Sequence, residues 1–121
     1  MNYKVIEKSN KTYIECISME IPLSAERDAL ELISICMENN TGLLIIHEEA
    51  LSENFFNLRT GLAGAVLQKF MNYQIKVVAI IVSEEKISGR FREMVIEANK
   101  GNDFRVYKNI AEAENWILSL K

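Results

Sequence analysis

His47-Glu48-Glu49 sets an imidazole and two carboxylates directly after the apolar run Leu43-Leu44-Ile45-Ile46. A histidine at the carboxyl end of a buried strand lies where α/β proteins carry out chemistry, and its ring can exchange a proton near neutral pH. Strand alternation sends His47 and Glu49 to one face and Glu48 to the other. A general base also needs a positioned partner and a pocket, which spacing alone does not supply. The second cluster is the polar turn Asn57-Leu58-Arg59-Thr60, followed by Gly61-Leu62-Ala63-Gly64. Thr60 is placed to cap a helix, a contribution of about 1 kcal/mol. The same hydroxyl is a candidate phosphoacceptor, because a helix N-terminus favours anions and Arg59 stands beside it.

Several chemistries are excluded by what is missing. Gly61-x-x-Gly64 lacks the spacing of a dinucleotide loop and the Lys-Ser/Thr of a P-loop; the two glycines are expected to let a helix sit tightly on a sheet. No serine or cysteine has a nucleophile-elbow context. With one histidine and no Cys-x-x-Cys, no zinc spacing is present, so no metal and no cofactor are expected. Cys16, in an alternating strand pattern, and Cys36, on a helix, read as reduced core thiols. Gly89-Arg90-Phe91-Arg92 is a short basic patch, and Glu48-Glu49 and Glu84-Glu85 are acid pairs, all expected on solvated faces.

Adjacent Phe55 and Phe56 do not both point inward easily from a helix or a strand. One is expected to cap the core and the other to be partly exposed, forming with Leu51 and Leu58 an apolar patch for a partner. The other outcome is a loop folded back over both rings.

These groups need a frame. At 121 residues the chain is expected to be one domain, residues 1–121, with enough core to fold without metal or disulfide. A net charge of −3 with scattered basic residues argues against nucleic acid. No apolar run approaches a membrane span and the N-terminus lacks a signal core, so a cytoplasmic protein without a membrane partner is expected. Residues 3–8 and 12–18 read as strands of a hairpin around Ser9-Asn10. Pro22 breaks the chain and Ser24 is placed to cap a helix. Its buried stripe is expected at Ala29, Leu30, Ile33, Cys36 and Met37. Leu43 to His47, apolar on both faces, reads as a central strand. A helix follows with Leu62, Ala63, Val66, Leu67, Phe70 and Met71 on one face, then a central strand at 75–82. Ser83-Glu84-Glu85 caps a helix burying Ile87, Phe91, Met94, Val95 and Ala98. A short strand, Phe104 to Tyr107, precedes a capping box at Asn109-Ile110-Ala111-Glu112 and a last helix. The order ββαβαβαβα predicts an α/β domain: a mostly parallel central sheet with an N-terminal hairpin and helices packed on it.

This order resembles the STAS domain of anti-anti-sigma factors, which implies a STAS-like fold. In that family the serine opening the second helix is phosphorylated by a partner kinase. Thr60-Gly61-Leu62 stands at the corresponding place, although Leu58 replaces the usual acidic residue two positions earlier and the loop from His47 to Arg59 is longer. Over its whole length the chain is similar to a bacterial family catalogued as domain of unknown function 4180. It shares the Phe-Phe-x-Leu-x-Thr run (Phe55 to Thr60), the Ala-Gly-x-x-Leu-Gln-Lys-Phe run (Ala63 to Phe70) and Asn72-Tyr73. Members typically carry Glu after Ala-Gly, where this chain has Ala65.

The functional expectation is a non-catalytic regulatory module that binds another protein, possessing a switch by phosphorylation at Thr60. Its candidate surface comprises His47, Glu48, Glu49, Phe55, Phe56, Asn57, Arg59, Gly61 and Gly64. The alternative is a small-ligand binder or enzyme using His47, Glu49 and Arg59 around a pocket at the carboxyl end of the central strand. The third option is a homodimer through a sheet edge or the Phe55–Phe56 patch.

Overall fold

In the computed structural model, which describes residues 1–120, the chain forms one five-stranded sheet with strands in sequential order. β1 (Asn2–Lys8) and β2 (Lys11–Ser18) form the expected hairpin. Its two turn residues, Ser9 and Asn10, both lie in the left-handed region at φ 55° and 63°, the twist a two-residue hairpin loop requires. β3 (Leu43–His47), β4 (Lys76–Ile80) and β5 (Phe104–Tyr107) then add in parallel. The outer edge of β5 is satisfied by Asn99, whose side chain bonds both the N–H and the C=O of Val106 at 2.8 and 3.1 Å.

Because each crossover steps one strand in the same direction, right-handed connections place the joining helices on one face. These are α1 (Ala29–Glu38), α3 (Leu62–Asn72) and α4 (Gly89–Ala98). They bury Ile14, Cys16, Leu44, Ile46, Val77 and Ala79. The other face is covered by α5 (Ile110–Ser119), whose Ala113, Trp116 and Ile117 pack on Tyr13, Ile45, Val78 and Ile80. Asn109 caps α5 as expected, its side-chain oxygen accepting from the Glu112 N–H at 2.9 Å. Tyr13 donates its hydroxyl hydrogen bond to Glu114 at 2.7 Å, and Lys8 pairs with the same carboxylate. Arg105 lies over the Trp116 ring. Cys16 and Cys36 are buried and unbridged, and burial pushes their thiols up to about 11 and about 12.

The expected element order holds, with one addition and several shifts. A one-turn helix, α2 (Glu53–Phe56), lies inside the long loop after β3. In α1 the buried residues are Ala29, Leu32, Ile33, Ile35 and Cys36, while Leu30 and Met37 are exposed. The polar residues Glu31, Ser34 and Glu38 recur at helical spacing and mark the outer face, and Leu30 and Met37 flank that face rather than the core. Met71 is likewise exposed. A 3-10 turn at Glu26–Asp28 precedes α1, and the Asp28 carboxylate accepts from the Ser24 and Ala25 N–H groups. β4 ends at Ile80, leaving Val82 65% exposed. Glu84–Lys86 forms a separate 3-10 turn, so α4 begins only at Gly89.

Candidate binding surface at the carboxyl ends of β3 and β4

The loop after β3 is built rather than slack. It runs through a 3-10 turn at Glu48–Ala50, then α2, then a second turn at Leu58–Thr60. Leu23 pins its middle, donating to the Ala50 carbonyl at 2.8 Å and accepting from the Ser52 N–H at 3.1 Å. Phe55 is buried and Phe56 half-buried. Both meet Phe91 of α4 edge-on, at 6.0 and 5.3 Å between ring centres. The loop therefore folds back against α4, and Phe56 is the ring that remains partly open.

Glu48 is not a solvated acid. It is 8% exposed, and its Oε1 accepts from the N–H groups of Val82 at 2.7 Å and Ser83 at 3.0 Å, just beyond β4. Lys86 approaches its other oxygen at 3.5 Å, reaches Glu53 at 3.6 Å and sits 4.9 Å over the Phe56 ring. Burial works to raise the Glu48 pKa. The Ser83 and Val82 amides, with Lys86, outweigh it and hold the carboxyl below the usual glutamate range. Glu48 thus ties the β3 loop to the β4 loop. Lys86 was invisible as a site residue in sequence, because its partners are remote along the chain.

His47 faces the other way. It shares its register position with Ile80 on the α5 side, and its Nε2 lies 2.7 Å from Glu15 Oε2 on β2. Glu49 is exposed on the turn. Arg59 instead lines a cleft on the α4 side, so the structure does not gather His47, Glu49 and Arg59 around one cavity. Among the described residues, no three His, Cys, Asp or Glu side chains cluster as a metal site requires.

Thr60 is exposed, and its hydroxyl is a local tie. Oγ1 lies 2.8 Å from the Asn54 carbonyl and 2.9 Å from that of Asn57, either of which can take its proton, and it accepts from the Leu62 N–H at 3.2 Å. Gly61, at φ 76°, occupies the cap position of α3 itself, one residue later than expected. Asn57 stabilises the same turn by accepting from the Arg59 N–H. Gly64 does not seat α3 against the sheet: it is exposed, and a Cβ there would meet nothing within 4 Å. Ala65 is half-buried on the same helix.

The cleft holding Arg59 has a volume of about 310 Å³ and runs between residues 56–59 and the start of α4, where Ser88, Arg90 and Phe91 line it. It is built from the loop that follows β3 and the start of the helix that follows β4. In sequence Arg90 is only part of a short basic patch; that it shares a cleft with Arg59 depends on the fold.

Fold and site together define a small α/β domain whose elaborated surface is the pair of loops beyond β3 and β4. Within that class, the chain belongs to the family described as domain of unknown function (DUF4180), whose profile matches residues 8–117. The family resemblance carried by Phe55 to Thr60 and Ala63 to Phe70 is thereby borne out. No curated protein and no solved structure matches the chain. No described helix is long and apolar enough to cross a membrane.

Proposed function

We propose that this chain is a regulatory module that binds a partner protein through the loop of residues 47–64 and is switched by phosphorylation of Thr60. The observation that carries this is the bonding of the Thr60 hydroxyl, which is exposed yet holds together the turn from Asn54 to Leu62. Transfer of a phosphoryl group from a nucleoside triphosphate replaces the hydroxyl hydrogen, which leaves as a proton. The esterified oxygen can then donate to neither Asn54 nor Asn57, and a near-dianion stands against two carbonyl oxygens. The turn must rearrange, and the new charge lies beside Arg59. Charge placed within a contact surface opposes association through repulsion and desolvation. The resemblance of the element order to STAS domains adds support, since Thr60 lies directly before the cap of α3, the helix corresponding to the one opened by the acceptor in those domains.

The test is affinity capture from a lysate of the source cell, with wild type, Thr60→Ser and Thr60→Asp side by side. A partner retained in stoichiometric amount by wild type and Thr60→Ser, and lost with Thr60→Asp, is the expected result. Equal retention by Thr60→Asp refutes the switch. Absence of any specific protein with all three refutes the binding module.

A further inference from the structure

We propose that the cleft between residues 56–59 and the start of α4 binds a small organic anion carrying an apolar group, with Arg59 and Arg90 as the anion-binding pair. Both arginines line the same cleft, and among the described residues neither has a carboxylate within 4.0 Å. Lysines near the cleft and at the neighbouring strand ends are neutralised, Lys86 by Glu48 and Glu53, Lys108 by Glu84 and Lys76 by Asp103, so the two arginines are the unpaired charges this cleft offers. Two cations bordering one cleft draw an anion toward it, even in a chain of net charge −3. Guanidinium forks match the oxygens of a carboxylate or phosphate in pairs, which a lone surface lysine does not.

The floor supplies the second half of the specificity. Phe56 and Phe91 meet edge-on at 5.3 Å, and the half-buried Phe56 leaves ring surface open to the cleft. Lys86 over the Phe56 ring fixes that ring's position. The volume of about 310 Å³ is roughly twice that of an apolar cavity that takes up benzene. It suits one ring or a short alkyl body plus a charged head. Of the other clefts, one is lined by Glu20, Asp28 and Glu31, another by the polar hairpin turn, and a third by Ile87, Arg92 and Lys108 together with Glu84, which pairs with Lys108.

The inference is independent of Thr60, which does not line the cleft. It is tested by amide NMR titration of the whole protein with phenyl phosphate, inorganic phosphate and benzyl alcohol. Phenyl phosphate is expected to shift amides of residues 56–59 and 88–91 saturably. Inorganic phosphate and neutral benzyl alcohol are expected to bind at least roughly tenfold more weakly, since each lacks one half of the match. Arg59→Gln and Arg90→Gln, both at exposed positions, should each weaken phenyl phosphate by roughly tenfold, while Arg92→Gln, in a different cleft, leaves it unchanged. Equal affinity for all three probes, shifts scattered over basic residues elsewhere, no saturable shift, or indifference to Arg59→Gln and Arg90→Gln each overturns the assignment.

Discussion

Replacing Glu48 by Gln keeps the side chain's shape and one acceptor oxygen, but removes the charge that the Val82 and Ser83 amides and Lys86 surround. Hydrogen bonds to a charged acceptor contribute about 1.5–3 kcal/mol each against about 0.5–1.5 for neutral ones. With two amides at 2.7 and 3.0 Å the net loss is about 2 kcal/mol, the partly exposed Lys86 pair adding less than about 1. Unfolding entropy of about 2.1 cal/mol/K per residue, over 121 residues, makes each kcal/mol about 4 °C, so Glu48→Gln should melt about 8 °C lower at pH 7. The sign with pH follows from linkage. The folded carboxyl titrates below its ordinary value, so its contribution is complete above the unfolded pKa, about 4.3, and is lost as pH falls through the lower folded value. Calorimetry at pH 7 and at pH 3 should therefore show the gap between wild type and Glu48→Gln closing on the acid side. Other acids held low, such as Asp28 and Glu114, titrate in both proteins and cancel in that difference. A gap of the same size at both pH values refutes the charged clamp.

The glycines offer an opposed pair. A Cβ at Gly42 would lie 2.8 Å from the Gln74 carbonyl oxygen, backbone that cannot swing aside, whereas one at Gly64 meets nothing. Gly42→Ala should lower stability by about 1–3 kcal/mol and Gly64→Ala raise it by about 0.5–1 kcal/mol, read from urea midpoints; like signs would contradict the packing. Tyr13→Phe removes the hydroxyl that donates to Glu114 and should lower stability by about 1–2 kcal/mol. Burial, and then the Glu114 hydrogen bond, raise the Tyr13 pKa. That contribution is complete below the unfolded value near about 10 and disappears as pH rises toward the higher folded one, so the stability gap to Tyr13→Phe should narrow in alkali. A normal, early phenolate absorbance from Tyr13 would refute it.

Much of the frame was legible from residue order. Leu43 to His47 and the run from Ile75 are apolar on both faces, which only central strands sustain, and Ser9-Asn10 and Asn109 carry their turn and cap chemistry locally. The phase of α1 is written in its polar residues, since Glu31, Ser34 and Glu38 fall on one exposed side; a stripe drawn through Leu30 and Met37 turns the helix too far, because both flank that polar side. Gly61-x-x-Gly64 suggested close packing, but a missing side chain does not say what lies opposite it. The surface itself belongs to the tertiary structure. Glu48 reads as half of an acid pair until β3 and β4 lie side by side and bring it to the amides of Val82 and Ser83. His47 acquires Glu15 only through the register of β2 on β3. Arg59 and Arg90 line one cleft only because the β3 loop folds back on α4. Local patterns set which segments become strands and helices, since hydrogen bonding and amphipathicity act over a few residues. Which charged groups share a cleft was decided by sheet order and crossover hand, which bring together residues far apart in the chain.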